Sequence, residues 1–360
     1  MNFSGKKVLV IGMARSGVAA AQVLSKKGAL VTASDIKTPD LMQDTIEQLM
    51  RSKIEVWAGS YPEIKKESFD LVVVSPGVPL DIEPVQRAYN LDLPVIGEVE
   101  LAYLLKKPQL EMYGITGTNG KTTTTALLKE ILVRDGQKSA SGGNIGTPLT
   151  FLVDSMDEGV IAVEVSSFQL ETVKEFKPHI CSILNITPDH LDRHKTMEAY
   201  IQAKTKIFVN QDADDFTILN YEDEVLRSCS ALTKAKTIFF STDRVLDEGV
   251  FVKDGFISAR INNKTIDICN VSEVSLRGKH NLENILCATA MALAANVKPE
   301  NIASVLKTFK GVRHRMEEVL IHNGVTYIND SKATNPESAI KALESFDQPI
   351  ILIAGGRNKG

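Results

Sequence analysis

A glycine-rich stretch that leads into a helical pattern constrains this chain most strongly. It starts at Gly114 and reads GITGTNGKTTTT, and apolar residues at helical spacing follow. Glycines at 117 and 120 let the backbone turn its N–H groups toward an anion, and Lys121 adds a positive charge. The hydroxyl of Thr122 or Thr123 can bind Mg²⁺ at the start of the helix. The stretch therefore predicts a phosphate-binding loop for a nucleotide.

The loop departs from the strict pattern in one position. That pattern needs a glycine five residues before Gly120, and Ile115 stands there instead. We therefore interpret the stretch as a variant loop, G-T-N-G-K-T. The alternative is a glycine-rich turn between a strand and a helix with an incidental lysine.

Length and charge limit the classes of protein to consider. A chain of 360 residues is long enough for two or three domains of about 100 to 200 residues. The net charge of −4 argues against a general nucleic-acid binder, which would present a basic face. No apolar run reaches the length of a signal peptide or a membrane span. We therefore expect a cytoplasmic protein with no nucleic-acid partner and no membrane insertion.

The four cysteines do not suggest a metal or disulfide framework. They stand far apart, with no C-x-x-C pair among them, at Cys181, Cys229, Cys269 and Cys287. Widely separated cysteines favour ordinary half-buried thiols in a reducing compartment over zinc ligands or disulfides.

The first hundred residues have the pattern of a dinucleotide-binding unit. A strand at Lys7–Ile11, a turn at Gly12–Gly17, a helix and a strand that ends at Asp35 follow one another. Ala14 replaces the middle glycine of the G-x-G-x-x-G fingerprint, which weakens a nicotinamide or flavin interpretation. Asp35 could accept hydrogen bonds from a ribose or from the imide of a uridine nucleotide. A packing unit without a ligand remains the alternative.

A loop at the end of the next strand is a second candidate for phosphate binding. The strand at residues 70–74 stops at Ser75–Pro79, and the carboxyl ends of parallel strands are where open sheets bind ligands. Gly77 could bring backbone N–H groups to a phosphate. We place the end of the first domain at Lys107, after a helix at Glu98–Leu105.

Two residues of the middle region suggest contacts to a metal or ligand. Glu164 is the one acid in an apolar strand at residues 160–165, and a buried carboxylate needs a partner such as Mg²⁺ beside a phosphate loop. The alternative is pairing with a core cation. Asn144, in a glycine-rich turn, could contact a ligand or simply tolerate a left-handed conformation.

A cluster of acids and imidazoles follows the next buried strand. It reads TPDHLDRH and includes His190, and such a strand-end cluster is typical of a metal or phosphoryl site. Zinc would require more His or Cys ligands, so we expect magnesium with help from His190. A solvated polar loop is the alternative. In the helix that follows, periodicity alone makes Lys204 a surface lysine whose stem lies along the protein.

The last part of the chain combines hairpins, helices and further polar clusters. Turns at Asp254–Gly255 and Asn262–Asn263 predict hairpins. Asn281, near the start of a helix, could contact a nucleotide or act as an N-cap. Another hairpin at Asn323–Gly324 leads to a polar strand end, and a strand is predicted at residues 349–354. These last fifty residues are too few for an independent parallel sheet, so we expect the chain to be a fragment.

Taken in order, these motifs resemble the Mur ligase family over all 360 residues. The segments that carry the resemblance are GTNGKTT, GGNIGTP, EVSSFQLE, TPDHLDRH, YIQAKTKIF, GKHNLENI, HRME, NDSKATNP and GGRNKG. The resemblance implies an α/β fold with three domains. These are a Rossmann-like domain for a uridine-diphosphate substrate (1–107), a central P-loop ATPase domain with a parallel sheet and a small β-sheet (108–310), and the start of a Rossmann-like amino-acid-binding domain (311–360).

The resemblance also implies a reaction. ATP phosphorylates the carboxylate of the uridine-linked substrate, and the amino group of an incoming amino acid then displaces phosphate. Resemblance is greatest to the branch of the family that adds D-glutamate to UDP-N-acetylmuramoyl-L-alanine in peptidoglycan synthesis. We therefore expect ATP and Mg²⁺ as cofactors, these two substrates as partners, and a monomer.

Residue roles follow from the same resemblance. Catalytic positions are Lys121, Glu164, His190 and Lys204. Magnesium-site positions are Thr122, Glu164, His190 and Lys204, the last as a carbamylated lysine. ATP-binding positions are Gly117, Thr118, Asn119, Gly120, Lys121, Thr122, Thr123, Asn281, Arg315 and Asp330. Positions for the uridine-linked substrate are Ser16, Asp35, Gly77, Asn144, Ser166 and His190, and those for D-glutamate are Thr334 and Lys359.

Other functions fit these residues less well. A nicotinamide oxidoreductase would not need a second nucleotide module, and a folylpolyglutamate synthetase would not need the first one. A Mur-family amide ligase with another amino acid remains open. A nucleotide-binding protein without catalysis would have no use for Glu164, His190 and Lys204 together.

Overall fold

The computed structural model describes residues 2–333, 336–346 and 348–356. A parallel sheet and a mixed, mainly parallel sheet, both covered by helices, form most of the molecule, and a short hairpin region follows. The predicted α/β class is thus confirmed.

The first sheet is parallel throughout, with strand order β3-β2-β1-β4-β5. Its elements are β1 (Lys7–Ile11), α1 (Arg15–Lys26), β2 (Leu30–Asp35), α2 (Gln43–Arg51), β3 (Glu55–Ala58), β4 (Leu71–Val74), α3 (Glu83–Asn90), β5 (Val95–Gly97) and α4 (Glu98–Leu105). The central strands β1 and β4 are almost wholly buried, as expected for strands covered on both faces. The glycine turn after β1 and the loop after β4 lie side by side where the strand order reverses, which is the usual ligand position in such sheets.

The second sheet has nine strands in the order β14-β13-β12-β11-β10-β9-β6-β8-β7. Its first elements are β6 (Leu110–Thr116), α5 (Lys121–Arg134), β7 (Ser139–Gly143), α6 (Leu149–Ser155), β8 (Gly159–Glu164), α7 (Ser167–Leu170), β9 (Ile180–Ile183), α8 (Leu191–His194) and α9 (Met197–Thr205). The later ones are β10 (Phe216–Asn220), α10 (Glu224–Cys229), β11 (Lys236–Ser241), β12 (Gly249–Lys253), β13 (Phe256–Ile261), β14 (Lys264–Asn270), α11 (Lys279–Ala294) and α12 (Pro299–Thr308).

The antiparallel strands continue this sheet at its edge. Both predicted hairpin turns are present, with positive φ at Asp254, Gly255, Asn262 and Asn263. Strand β12 pairs in parallel with β11, so the small β-sheet expected in the central domain is joined to the parallel sheet. Helices α5 and α11 cover one face, and their apolar residues form one cluster with the strands.

Helix α4 joins the two sheets through two buried glutamates. Glu98 accepts hydrogen bonds from Thr150 N at 2.7 Å and Thr150 Oγ1 at 2.9 Å, at the start of α6. Glu100 accepts three backbone N–H groups, from residues 174 to 176, at 2.8 to 3.0 Å. On the same helix Leu101 packs with the first sheet, and Val99 packs with the second. The helix therefore belongs to the packing of both units.

The last described part contains a hairpin and one helix. Strands β15 (Glu317–His322) and β16 (Val325–Asn329) pair across the predicted turn, and α13 (Pro336–Leu343) follows. The strand predicted at residues 349–354 is wrong: among the described residues none pairs with this segment. A strand needs a neighbour that satisfies its backbone and covers its side chains. This segment has no such neighbour among the described residues, and Ile351 and Ile353 are 92% and 94% exposed.

Two further observations concern the described part of the chain as a whole. None of its helices combines the length and apolar character needed to cross a bilayer. All four cysteines are free thiols, and they are fully buried rather than half-buried as predicted.

Candidate functional site

The predicted phosphate loop connects β6 to α5 at the carboxyl edge of the second sheet. Gly117 and Gly120 have φ values of 150° and 85°, so both use conformations that favour glycine. A Cβ on Gly120 would lie 2.1 Å from Asn284 Oδ1, which shows how closely α11 approaches the loop. The first turn of α5 presents N–H groups that have no partner within the helix, as an anion site requires.

Two lysines point at the same carbonyl oxygen of the loop. Lys121 Nζ donates to Gly117 O at 2.9 Å and to Thr118 O at 2.8 Å. Lys204 Nζ donates to Gly117 O at 2.8 Å. Burial lowers the pKa of Lys121 from its usual value, while the nearby Glu164 carboxylate opposes that change. The loop thus holds two amines beside the place where phosphate would lie.

Lys204 is not the surface lysine that periodicity predicts. It is 1% exposed, and its amine lies 4.6 Å from the ring centre of Tyr200 on the same helix. Burial, and next the positive charge of Lys121, hold the pKa of Lys204 well below its usual value. Helical spacing could not show this, because the contact partner lies 87 residues away in the chain.

The segment after β9 is hydrogen-bonded to the phosphate loop, a contact that sequence reasoning missed. Asn185 O accepts from Thr118 N at 3.0 Å, and Asn185 Oδ1 accepts from Asn119 N at 2.8 Å. The Asn185 amide also donates to Asn119 O at 3.3 Å. Next to it, Thr118 Oγ1 donates to Thr187 O at 3.1 Å. The one sequence signal for this contact was the position of Asn185, a polar residue at the end of the apolar run that precedes TPDHLDRH.

Glu164 ends β8 beside the loop. It is 2% exposed and pairs in register with Ile115, two residues before Gly117. Asn144 Nδ2 donates to Glu164 Oε1 at 3.0 Å, and Asn144 N donates to the Glu164 carbonyl at 2.9 Å. The left-handed turn is made by Gly143 and Gly146, so the alternative role for Asn144, tolerance of such a turn, is wrong.

The donors near the loop suit magnesium. In the described ranges, no group of three or more His, Cys, Asp or Glu residues lies close enough to hold a metal. Magnesium does not need such a group, because proteins usually hold it with one or two carboxylates, substrate phosphates and water. The buried Glu164 carboxylate and the Thr122 hydroxyl at the start of α5 are hard oxygen donors of this kind.

His190 lies at the start of α8 in a left-handed conformation, with φ of 54°. Its ring lies 4.8 Å from the ring of Phe168, and its Nε2 lies 3.6 Å from Asp189 Oδ2. Phe168 also contacts His194, whose Nε2 lies 2.9 Å from Ser167 Oγ. Part of the cluster predicted from TPDHLDRH therefore packs on α7, with His194 buried, while His190 keeps an exposed side chain.

The C-terminal region reaches the same loop. Arg315 Nη2 donates to Thr122 Oγ1 at 3.4 Å, and within the described chain Arg315 Nε is a buried donor without a hydrogen-bond partner. Asp330 Oδ1 accepts from Met316 N at 3.1 Å. Burial raises the pKa of Asp330 from its usual value. Arg315 thus reaches the start of α5, while Asp330 contacts the chain next to Arg315, at Met316.

Asn281 and Asn284 connect α11 to the loop. Gly278 is the residue at the N-cap position, so the N-cap alternative for Asn281 is wrong. Asn281 Nδ2 instead donates to Arg277 O at 2.7 Å, while its Oδ1 accepts from Asn284 Nδ2 at 3.3 Å. Asn284 Oδ1 in turn accepts from Thr124 Oγ1 at 3.3 Å. Asn284 is thus the direct contact to the loop's helix.

The predicted residues for the uridine-linked substrate lie mainly at the edge of the first sheet. Ser16 is in the first turn of α1 and partly exposed. Asp35 accepts from Met13 N at 2.8 Å and Lys37 N at 3.0 Å. Among described residues, no heavy atom lies within 4 Å of a Cβ built on Gly77. That space leaves room for a ligand beside this loop.

Ser166 belongs to the second unit and caps α7. Its Oγ accepts from Gln169 N at 3.3 Å, and its N donates to Gln169 Oε1 at 2.9 Å, which together form a capping box. The remaining predicted residues, Thr334 and Lys359, lie outside the described residues.

The carboxyl edges of the two sheets face each other. Arg193 Nη1 donates to Pro76 O, next to Gly77, at 3.3 Å. The same guanidinium binds Glu171 Oε2 at 2.7 Å and lies 4.4 Å from the ring centre of Phe168. Arg193 thus connects the loop at residues 75–79 of the first sheet to the His190 segment of the second, which is the stretch from the end of β9 to His190.

Comparison with known proteins agrees with this geometry. The family description "Mur ligase MurD-like, N-terminal domain" matches residues 6–97, and "Mur ligase middle domain" matches residues 115–292. The UDP-N-acetylmuramoylalanine–D-glutamate ligase of Pelotomaculum thermopropionicum is 49% identical over 360 residues, which are all of this chain and 79% of that protein. The chain belongs to the Mur ligase family. The ligase of the same name from Clostridioides difficile is 46% identical over 362 residues, with 80% of its length covered.

Solved Mur ligases have the same fold at low sequence identity. A murein peptide ligase from Psychrobacter arcticus has a TM-score of 0.60 at 19% identity, covering 94% of this chain and 75% of that one. A pseudomurein peptide ligase from Methanothermus fervidus has a TM-score of 0.56 at 22% identity, covering 96% and 78%. The MurF ligase of Thermotoga maritima, in complex with ADP, has a TM-score of 0.55 at 18% identity, covering 84% and 68%.

Proposed function

We propose that this Mur ligase joins D-glutamate to UDP-N-acetylmuramoyl-L-alanine with ATP, as a step of cytoplasmic peptidoglycan precursor synthesis. The observation that carries the proposal is the arrangement of two nucleotide-type edges that face each other across Pro76 and Arg193. A substrate bound by its uridine diphosphate at the first sheet can extend its carboxylate toward the phosphate loop of the second. The names of the relatives supply the two substrates.

In this proposal the phosphate loop holds the ATP phosphates. The N–H groups at the start of α5 bind the anion, and Lys121 leaves the Gly117 carbonyl to neutralise charge on the transferred phosphoryl group. Arg315, whose guanidinium already reaches Thr122, stabilises the same charge. Asp330 and Asn281 complete the predicted ATP contacts. The substrate carboxylate attacks the γ-phosphorus and releases ADP, which forms an acyl phosphate.

Mg²⁺, when bound, neutralises charge on the phosphate oxygens and orients them for in-line transfer. Thr122 and Glu164 are the first residues we assign to it, because both offer oxygen donors beside the loop. We also assign His190 and Lys204 to the metal site. The buried amine of Lys204 is suited to carbamylation, in which the neutral amine adds to CO₂, loses a proton and becomes an oxygen donor.

The second half of the reaction forms the amide bond. The amino group of D-glutamate attacks the acyl carbon, and the tetrahedral intermediate expels phosphate. Thr334 and Lys359 are the positions we propose for D-glutamate, while Asn144 and Ser166 would contact the muramoyl-alanine part of the other substrate. A monomer suffices for this chemistry, because all the proposed contacts come from one chain.

Phosphate release tests the proposal. The purified protein is given ATP, Mg²⁺ and UDP-N-acetylmuramoyl-L-alanine, and D-glutamate is compared with L-alanine, L-lysine and diaminopimelate. We expect release that requires both the uridine-linked substrate and D-glutamate. Release with another amino acid would move the protein to a different branch of the family, and ATP hydrolysis without either substrate would contradict the proposed ligation.

A further inference from the structure

The phosphate loop has two backbone N–H groups that do not face the anion site. Thr118 N donates to Asn185 O at 3.0 Å, and Asn119 N donates to Asn185 Oδ1 at 2.8 Å. The N–H groups left for an anion are those at the start of α5, from Gly120 onward. The contacts of one residue, Asn185, therefore decide which amides of the loop point toward phosphate.

The side chain of Asn185 forms hydrogen bonds with both backbone groups of Asn119, as a neighbouring strand would. Its Oδ1 accepts from the Asn119 N–H, and its Nδ2 donates to the Asn119 carbonyl at 3.3 Å. A side-chain amide that bonds both backbone groups of one residue fixes the two peptide groups on either side of that residue. Asn119 directly precedes Gly120, whose left-handed conformation starts the helix. The orientation of the peptide before Gly120 is thus set from outside the loop.

Asn185 also lies at the start of the His190 segment, just after the end of β9. Thr187, two residues further on, exchanges two hydrogen bonds with the Thr118 hydroxyl, at 3.0 and 3.1 Å. The loop and this segment are consequently one hydrogen-bonded unit at the ends of the neighbouring strands β6 and β9.

We propose that Asn185 is a positioning residue that keeps the phosphate loop in its ATP-binding shape and joins it to the His190 segment. The inference rests on the proposed function, since it assigns ATP to this loop. Asn185 makes no contact with ATP in this proposal. Loss of its amide lets the peptide before Gly120 rotate, so the N–H groups of α5 no longer converge on one anion.

The chain offers a matched control for the Asn185→Ala variant. Asn210 is partly exposed like Asn185, and its Nδ2 likewise makes two hydrogen bonds to backbone, to Lys174 O at 2.8 Å and Phe176 O at 3.1 Å. Those carbonyls lie next to the N–H groups that bind Glu100, apart from the phosphate loop. Asn210→Ala therefore removes equivalent bonds without touching the candidate ATP site.

The experiment measures binding of ATP and of UDP-N-acetylmuramoyl-L-alanine separately by calorimetry, together with thermal stability. With Asn185→Ala we expect the dissociation constant for ATP to rise about tenfold or more, the size of effect that loss of two hydrogen bonds can have. Binding of the uridine-linked substrate should stay unchanged. Asn210→Ala should bind ATP like the unmodified protein, with a similar loss of thermal stability.

Three results would overturn the inference. One is an ATP affinity of Asn185→Ala within twofold of the unmodified protein. Another is an equal loss of affinity for both ligands, or an equal loss in Asn210→Ala, because each would indicate general destabilisation. The third is failure of the unmodified protein to bind ATP, which alone would also contradict the proposed function.

Discussion

The two glycine turns of this molecule both connect a strand to a helix, but different side chains surround them. Each connects a buried parallel strand to a helix, at residues 12–14 in the first sheet and 117–120 in the second. The first turn is shorter than the predicted Gly12–Gly17, because α1 already begins at Arg15. The first turn is held by Ser75, whose hydroxyl donates to Gly12 O at 2.7 Å. The second is held by lysines 121 and 204 and by Asn185, all from the same edge of the sheet.

The two turns differ in backbone, charge and burial. Ala14 precedes α1 in an extended conformation, whereas Gly120 precedes α5 in a left-handed one. Arg15, the cation of the first turn, is exposed, whereas Lys121 of the second is only partly exposed. An exposed cation binds an anion weakly because water screens it, but a lysine withdrawn from water acts more strongly on charge that develops during a reaction. We infer that the first turn only binds its nucleotide, and that the second also transfers a phosphoryl group.

The largest expected effect comes from removing a cation at each turn in parallel. Lys121→Met should lower kcat by about 10³-fold, because it removes a partly buried positive charge beside the transferred phosphoryl group. Arg15→Met should leave kcat unchanged and raise KM for the uridine-linked substrate by no more than about tenfold. Steady-state kinetics on both variants measures this. Similar losses of kcat in the two variants would show that the turns do not differ in role.

Glu164→Gln tests whether the second turn has a metal site beside it. It keeps the side-chain size and the contact with Asn144 but removes a buried negative charge. We expect kcat to fall about 10²-fold and the Mg²⁺ concentration for half-maximal rate to rise. Phosphate release over a Mg²⁺ titration reports both quantities. An unchanged Mg²⁺ dependence would remove Glu164 from the metal site.

Two glycine substitutions distinguish backbone requirement from ligand contact. In Gly120→Ala the new methyl group would lie 2.1 Å from Asn284 Oδ1, at a φ of 85°, so we expect a loss of stability of about 1–3 kcal/mol and weaker ATP binding. Gly77→Ala meets no described heavy atom within 4 Å, so stability should change by less than about 0.5 kcal/mol.

Any loss of substrate affinity in Gly77→Ala would then come from the ligand. Thermal denaturation together with binding of UDP-N-acetylmuramoyl-L-alanine checks both variants. Substrate affinity that is unchanged in Gly77→Ala would place the uridine diphosphate away from this loop.

An effect on stability alone is expected at Glu98, which connects the two regions through α6. Burial raises the pKa of Glu98 from 4.5 to about 7, and within the described chain its Oε2 has no hydrogen-bond partner. Because the folded state binds the proton more tightly than the unfolded state, stability should fall as the pH rises from about 4.5 to 7. The loss should reach at most about 3 kcal/mol.

Glu98→Gln cannot lose this proton and can still accept from Thr150. Thermal denaturation at pH 5 and pH 8 should therefore show a smaller decrease for the variant than for the unmodified protein. Equal decreases would mean that other groups set the pH dependence.

Sequence periodicity predicted most of the strands and helices that have a strong apolar pattern. Among the elements it missed are α2 and β3, because α2 buries only Leu49 and the edge strand β3 is half exposed along its length. It also missed β7, α6 and α10. Glycine positions predicted both turns, since positive φ values are a local requirement. The predicted domain boundaries at residues 107 and 310 stay predictions.

The site was predictable as residue types but not as contacts. Lys204 and Asn185 reach the phosphate loop because β6 lies next to β9 in the sheet, which no local pattern shows. Resemblance to the family pointed to Lys204, whereas the one sequence signal for Asn185 was its position as a polar residue at the end of a buried run. The roles of the site residues stay predictions until variants are measured.

Isotope transfer tests the central claim most directly, namely that the two edges serve one reaction. UDP-N-acetylmuramoyl-L-alanine is prepared with ¹⁸O in its free carboxylate, and the phosphate released with ATP and D-glutamate is analysed by mass spectrometry. We expect one ¹⁸O atom in each released phosphate, because the carboxylate oxygen that attacks the γ-phosphorus leaves with it. Phosphate without label, formed at the same rate as the amide, would show that the carboxylate is never phosphorylated and that the two edges do not serve this reaction.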